Sequence, residues 1–280
     1  MICCDLTGNI GDQITRYLLC RSVAEKNSYD WSINKRTSHD YYNGAEQMYC
    51  FDVDYGIPNN TPYGEMPEGV TNVWSEKYDD HQTYSYHPYQ PDVFDVPDNT
   101  KLVFRCGHDA RYYDRNKVRE WLTIKKENTL LYEERLAKEG IDLSDENLCV
   151  INCRGGEYRG VKSLFLTNDY WSKTIDLMLQ KNENMHFIVI TEDLDYYKNI
   201  FNCPVYHFDI GNDFYVVQHA RNLILSNSAF AIFATWTNLN NPYVIAPKYW
   251  SRHNISDGFW ANSDMFTFGW NFMDRDGNLD

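Results

Sequence analysis

Leu148-Cys149-Val150-Ile151-Asn152-Cys153-Arg154-Gly155-Gly156-Glu157-Tyr158 is the stretch whose reading decides the fold. Its first half is a short, continuous apolar run, the pattern of a strand covered on both faces. The run breaks into an Arg-Gly-Gly turn. Helical spacing begins at about Asn168, an N-cap residue by type, and carries Trp171, Ile175, Met178 and Leu179 on one stripe. Strand, glycine turn, helix is the opening of an α/β unit.

Moving outward, the same alternation repeats. His186 to Thr191 is a second continuous apolar strand, and a short helix follows Glu192-Asp193. Pro204 to His207 reads as a third strand, Asp213 to Arg221 as a helix and Leu223 to Leu225 as a fourth strand. Ser228 to Leu239 is helical, and Tyr243 to Ala246 closes the series. Such alternation predicts a parallel sheet with crossover helices, a Rossmann-like domain. Toward the N-terminus, Met1 to Leu6 is a strand that turns through Gly8-Asn9-Ile10-Gly11 into a helix bearing Ile14, Tyr17 and Leu18. Leu102 to Phe104 is a strand, and Asn116 to Leu122 and Asn128 to Glu139 are helices. Between Tyr41 and Pro97 the periodicity dissolves. The acidic stretch from Gly140 to Asn147 is the expected boundary. It gives an α/β domain over 1–145, a second over 146–250 and an aromatic tail over 251–280, expected to pack back across the domains. Ligands in such folds bind beyond the carboxyl ends of the strands, so a cleft between two α/β units is the expected site.

Composition narrows the partners. With 26 basic and 40 acidic residues, the 280-residue chain carries a net charge of −14. A nucleic-acid binder needs the opposite sign, and an anionic membrane surface is disfavoured too. The opening Met1-Ile2-Cys3-Cys4-Asp5 lacks a basic n-region and an apolar h-region, and no run is long enough to span a bilayer. A cytoplasmic protein of bacterial or viral origin is expected. The eight cysteines are scattered without a Cys-x-x-Cys pair, which predicts reduced, buried thiols and no zinc site. The three Asp-x-Asp triplets are no more than so Asp-rich a chain gives by chance. No metal is expected, and the eight histidines show no clustering.

Two segments carry candidate chemistry. In the 152–158 turn, glycines admit a ligand to the backbone and Arg154 offers a fork of donors for phosphate oxygens; a plain tight turn with a surface Arg is the alternative. At Ser226-Asn227-Ser228, strand passes into helix, and the helix N-terminus with flanking hydroxyls suits an anion; ordinary N-capping is the alternative. Both fall on one rim of one sheet, which fits a diphosphate held by an Arg and a helix N-terminus.

Three segments, in order, resemble the α-1,2-fucosyltransferase-like enzymes, glycosyltransferase family 11. Gly8-Asn9-Ile10-Gly11-Asp12-Gln13 is similar to their opening G-x-L-G-N-Q. Asn152 to Tyr158 is similar to their H-x-R-R-G-D-Y turn. Ser226-Asn227-Ser228-Ala229-Phe230, continuing to Val244 through Trp250, is similar to their S-N-S-S-F-S-W-W block and its I-A-P-x-x-W ending. Gly107 to Trp121 and Phe187 to Asp193 are weaker matches. The resemblance implies a GT-B-like fold of two Rossmann-like domains facing a cleft, with acceptor on the N-terminal side and donor on the C-terminal side. It implies an inverting, metal-independent transferase taking fucose from GDP-fucose, or another GDP-sugar, to a glycan hydroxyl, with no separate cofactor. Arg154 falls on the motif Arg expected to hold the pyrophosphate. Gly8, Asn9, Gly11, Asn152, Gly156, Asp193, Ser226, Asn227, Ser228 and Phe230 fall on the remaining donor-binding positions.

The chain departs from the family at Asn152 (His), Gly155 (second Arg), Glu157 (Asp) and Asp12 (Asn). The donor site thus has one fewer cation, and the base falls to Asp12 or Glu157; capping by Asp12 and orientation of Arg154 by Glu157 are the alternatives. A catalytically silent nucleotide-sugar or glycan binder on the same scaffold, or a transferase for another nucleotide sugar, remains the second reading. Of the 22 tyrosines, 11 lie between Tyr41 and Tyr113, where they would suit stacking on a neutral sugar or packing of a loop-rich region.

Overall fold

The computed structural model describes residues 1–34, 47–77, 89–104, 110–250, 267 and 269–279. It is an α/β protein whose chain divides into two compact units at Lys125/Lys126, twenty residues before the boundary expected from the acidic stretch.

In the first unit, β1 (Ile2–Asp5) leads through Gly8 into α1 (Ile10–Asn27) and on to β2 (Trp31–Asn34). Then come β3 (Asn72–Ser75), β4 (Thr100–Val103) and α2 (Arg115–Trp121). The sheet order is β2-β1-β4-β3, all parallel. Helix α1 ends at Ser28, whose left-handed backbone (φ 57°) lets its N–H reach back to Ala24 and Glu25. Ile14, Leu18 and Val23 lie fully buried with Ile2 and Cys4 of β1. Arg21 lies over the rings of Trp31 and Trp121, 5.5 and 4.3 Å from their centres, which ties α1 to β2 and α2. In the tyrosine-rich stretch, Tyr112 and Tyr113 are buried, and the Tyr112 hydroxyl accepts the Gln90 N–H at 2.8 Å.

The second unit opens with α3 (Lys126–Lys138), followed by β5 (Leu148–Asn152), α4 (Asn168–Lys181) and β6 (His186–Ile190). Next are α5 (Leu194–Tyr197), β7 (Val205–Tyr206), α6 (Ile210–His219) and β8 (Asn222–Leu225). Helix α7 (Ala229–Thr237) and strands β9 (Tyr243–Pro247) and β10 (Asn271–Met273) complete it. All six strands run parallel in the order β10-β9-β8-β5-β6-β7. The series therefore does not close at β9: β10, inside the expected tail, adds one more strand with Met273 buried. The rest of that tail's aromatic residues, Phe259, Trp260, Phe266 and Phe268, lie outside the described residues. Helix α3 joins this unit through α6. Tyr132 packs on Tyr215 with ring centres 5.8 Å apart, the Tyr215 hydroxyl donates to Glu133 at 3.0 Å, and Arg135 pairs with Asp209.

Strand β5 has no exposed residue, as its apolar run implies. Tyr170, Trp171 and Met178 of α4 form one core with Ile151, Val189, Ile224 and Ile245, and the Tyr170 hydroxyl donates to the Leu225 carbonyl at 2.7 Å. The described free cysteines are buried, save the half-buried Cys203, and burial pushes the Cys3 thiol up to about 12 and Cys203 to about 11. Among the described residues, no helix is long and apolar enough to cross a membrane.

The most consequential polar contact of the first unit is an ion pair. Lys101 Nζ lies 2.8 Å from Asp5 Oδ2 with both side chains largely buried, and it also donates to the Glu65 carbonyl at 2.7 Å. Asn34 supplies a further donor to Asp5 at 2.8 Å. Removing one partner strands the other charge, so Lys101→Ala should cost ~3–5 kcal/mol of unfolding free energy. Denaturant unfolding of the variant checks this.

Candidate functional site at the β5–β8 switch

After β5 the chain moves outward through β6 to β7, then returns to the opposite side of β5 to lay down β8. Open parallel sheets bind ligands where the strand order reverses, and here that point lies between the carboxyl ends of β5 and β8. The structure brings the two candidate segments together there. Ser226 N–H donates to the Asn152 carbonyl at 2.9 Å, and Ser226 Oγ reaches Asn152 Oδ1 at 3.3 Å. The Asn152 amide donates to Ile190 at 3.5 Å, so its buried side chain ties β5 to its neighbours.

Arg154, one residue beyond Cys153, is mostly buried. Its two terminal nitrogens are held separately: Nη1 pairs with Glu192, which follows β6, and Nη2 pairs with Glu157 in its own turn. Burial opposes the guanidinium charge. Glu192, then Glu157 and Tyr158, more than offset that and hold Arg154 above its ordinary value. The guanidinium also lies over the Tyr158 ring, 5.3 Å from its centre, and Tyr158 meets Trp250 edge-on. Beneath, the Tyr197 hydroxyl donates to the Arg154 carbonyl at 2.9 Å.

The two glycines of the turn have different reasons. Gly156 has φ +55°, the left-handed region that disfavours a side chain. At Gly155 the constraint is space: a Cβ there would lie 2.5 Å from Asp193 Oδ2 and 2.6 Å from Asp193 Cβ. Asp193 uses the room to accept the Gly156 N–H at 2.8 Å and to pair with Arg159 at 3.1 Å. The approach that the glycines allow is thus taken by a side chain of the same unit. No side chain fits at 155 while Asp193 occupies that place.

At the β8–α7 junction, Asn227 donates from its amide to the carbonyls of Leu164 (2.7 Å) and Trp250. Its amide hydrogens therefore brace two loops. Ser228 begins the nine-residue α7 without a side-chain capping bond, so Ser226-Asn227-Ser228 does not cap in the ordinary way. Phe230 packs edge-on against Phe214, with ring centres 5.6 Å apart.

A second polar pair on this rim carries no sequence motif. His207, just past β7, hydrogen-bonds through Nδ1 to Asp213 Oδ2 at 2.6 Å; Asp213 Oδ1 accepts the Phe208 N–H at 3.1 Å. The hydrogen bond to Asp213 raises the His207 pKa against the opposing effect of burial, helped by Glu192 and Asp209. Burial raises the Asp213 carboxyl, while His207 and the Phe208 N–H work against that. The only sequence signal was the pairing of a strand-end His with an Asp in the next helix's first turn.

Gly8 and Asn9 lie on the other unit, in the β1–α1 turn, and Gly11 and Asp12 in the first turn of α1. Gly8 has φ +76°, and a Cβ there would fall 2.4 Å from Asp12 Oδ2. That carboxylate turns back over the helix start to accept the Asn9 N–H at 3.3 Å. Gln13 fastens the turn, donating to the Gly8 carbonyl at 3.0 Å and accepting the Gln47 N–H at 2.9 Å.

Comparisons bear on the fold. No family model and no curated protein matches the chain. Solved structures do. POFUT1 in complex with GDP shares the fold at 10% identity and TM-score 0.50, with 88% of this chain and 96% of that chain aligned. A second crystal form of the same complex gives TM-score 0.51 at 8% identity over 88% and 97%. NodZ α-1,6-fucosyltransferase soaked with GDP-fucose aligns at 12% identity and TM-score 0.43 over 86% and 96%. The α/β fold, with its parallel sheets, is thus the one seen in POFUT1.

Two outcomes follow from this geometry. Gly155→Ala should cost ~1–3 kcal/mol, the range for overpacking, and less than that when combined with Asp193→Ala; thermal or denaturant unfolding of wild type, the two single variants and the double variant measures this. His207 should titrate above the ordinary imidazole value, with its contribution to stability full below that value and lost as pH rises through the folded pKa. NMR titration should show the value falling back in Asp213→Asn.

Proposed function

We propose that this protein is a glycosyltransferase that takes fucose from GDP-fucose to a glycan hydroxyl, and that it is a divergent member of the family its motifs resemble. The observation that carries this reading is that the Arg154 turn and the N-terminus of α7 leave the same rim of the sheet, on either side of the strand-order reversal. The fold shared with POFUT1, whose crystals hold GDP, supports a nucleotide-diphosphate donor.

In this reading the donor diphosphate lies between Arg154 and the α7 N–H groups. As the sugar–phosphate bond breaks, charge grows on the leaving diphosphate. A buried guanidinium and a fixed helix N-terminus stabilise that charge without a metal. Direct displacement inverts the anomeric carbon and requires a carboxylate to accept the acceptor's proton. Glu157 and Asp12 are the candidates, and Glu157 shares a unit with Arg154. Asp193 serves by shaping the Arg154 turn. A second reading, a silent nucleotide-sugar binder, is favoured by one observation: both ends of the Arg154 fork are already paired.

Thermal shifts with GDP, UDP and their sugars test the donor. GDP and GDP-fucose should raise the melting temperature, since a ligand that binds only the native state stabilises it; a shift with UDP alone would reject the fucose donor. Arg154→Ala should abolish the GDP shift. Release of GDP from GDP-fucose in the presence of a glycan acceptor separates the transferase from the silent binder.

A further inference from the structure

We infer that Glu192 and Glu157 are specificity-determining residues of this site. They occupy the two ends of the Arg154 fork in place of a ligand, and an incoming anion must displace them. The inference rests on the donor-site reading above.

The geometry is that of a bound ligand made from the protein itself. A guanidinium presents its donors in a planar fork, and one carboxylate commonly takes both ends. Here each end has its own partner from a different loop: Glu192 beyond β6 on Nη1, and Glu157 from the turn on Nη2. Two separate anionic groups on one fork is the arrangement that the two phosphates of a diphosphate would offer. The Arg154 side chain is only 17% exposed, while Glu157 and Glu192 are 61% and 48% exposed. The cation is therefore fixed and the two carboxylates are free to swing into solvent.

Charge decides what can replace them. Arg154 and Arg159 face Glu157, Glu192 and Asp193 within this cluster, so the cluster has no net attraction for a weakly charged anion. A ligand that engages one end leaves the other carboxylate beside it as a like charge. A diphosphate displaces both and regains both fork contacts. The two glutamates thus weaken anion binding overall and reserve the site for ligands carrying two adjacent anionic groups.

Inorganic diphosphate and inorganic phosphate are the probes, titrated calorimetrically at low ionic strength into wild type, Glu192→Gln, Glu157→Gln and the double variant. Each single variant should bind diphosphate ~fivefold more tightly, the scale of one exposed ion pair, and the double variant more tightly than either. Phosphate, bound weakly by wild type, should gain most in the double variant. Glu183→Gln removes one exposed charge away from the site and should change nothing. An equal gain there would show bulk charge at work and overturn the inference, as would a double variant that binds diphosphate no better than wild type. Unliganded melting temperatures confirm that each variant is folded. Arg154→Ala separates the two levels. Diphosphate binding unaffected by that change rejects the donor site itself, whereas binding lost in Arg154→Ala but unimproved in the glutamate variants rejects only the displacement.

Discussion

The parallel pairing of β5 with β8 organises the second unit. The Ser226 N–H to Asn152 carbonyl bond is a single ladder contact, yet it fixes where two loops distant in sequence must leave the sheet. Parallel strands point their carboxyl ends the same way, so the Arg154 turn and the start of α7 emerge on one rim. The crossovers to β6 and β7 put Glu192 and His207 on that rim too. The chemistry of the site follows from strand order before any side chain is considered.

Around that rim, polar groups are used twice over. Asp193 holds the Gly156 N–H and Arg159, Tyr197 holds the Arg154 carbonyl, and Asn227 holds two loops. Each ties one loop of the rim to another part of the same unit. Support of this kind explains how an arginine turn can be both glycine-rich and well positioned. Gly156 provides the left-handed backbone, Gly155 provides the room, and Asp193 converts that room into rigidity.

Much of this was legible in the sequence, for identifiable reasons. Strands β5, β6 and β8 are continuous apolar runs because both faces are covered, and such runs stand out. The Arg154 turn and Ser226-Asn227-Ser228 were readable because glycine and small polar residues punctuate strand ends. Strand β3 was not, because Asn72–Ser75 is largely exposed and has no apolar period to detect. Nor was β10, only three residues long. The division at Lys125/Lys126 was not readable because α3 is claimed by contacts far along the chain: Tyr132 with Tyr215 and Arg135 with Asp209. The His207–Asp213 pair was illegible for a similar reason, since only the turn between β7 and α6 brings the two side chains face to face.

Strand β10 has a consequence for how the molecule is made. Met273 belongs to the same buried core as Ile151 and Ile245, and the Met273 carbonyl accepts the Lys248 N–H at 2.8 Å. During synthesis, β9 is complete long before residues 271–273 leave the ribosome. Its outer edge and part of the core stay uncovered for that interval. An uncovered parallel edge is where a growing chain is most open to pairing with the wrong strand. The second unit is thus built from its middle outward, and the last strand laid down is the one that seals it.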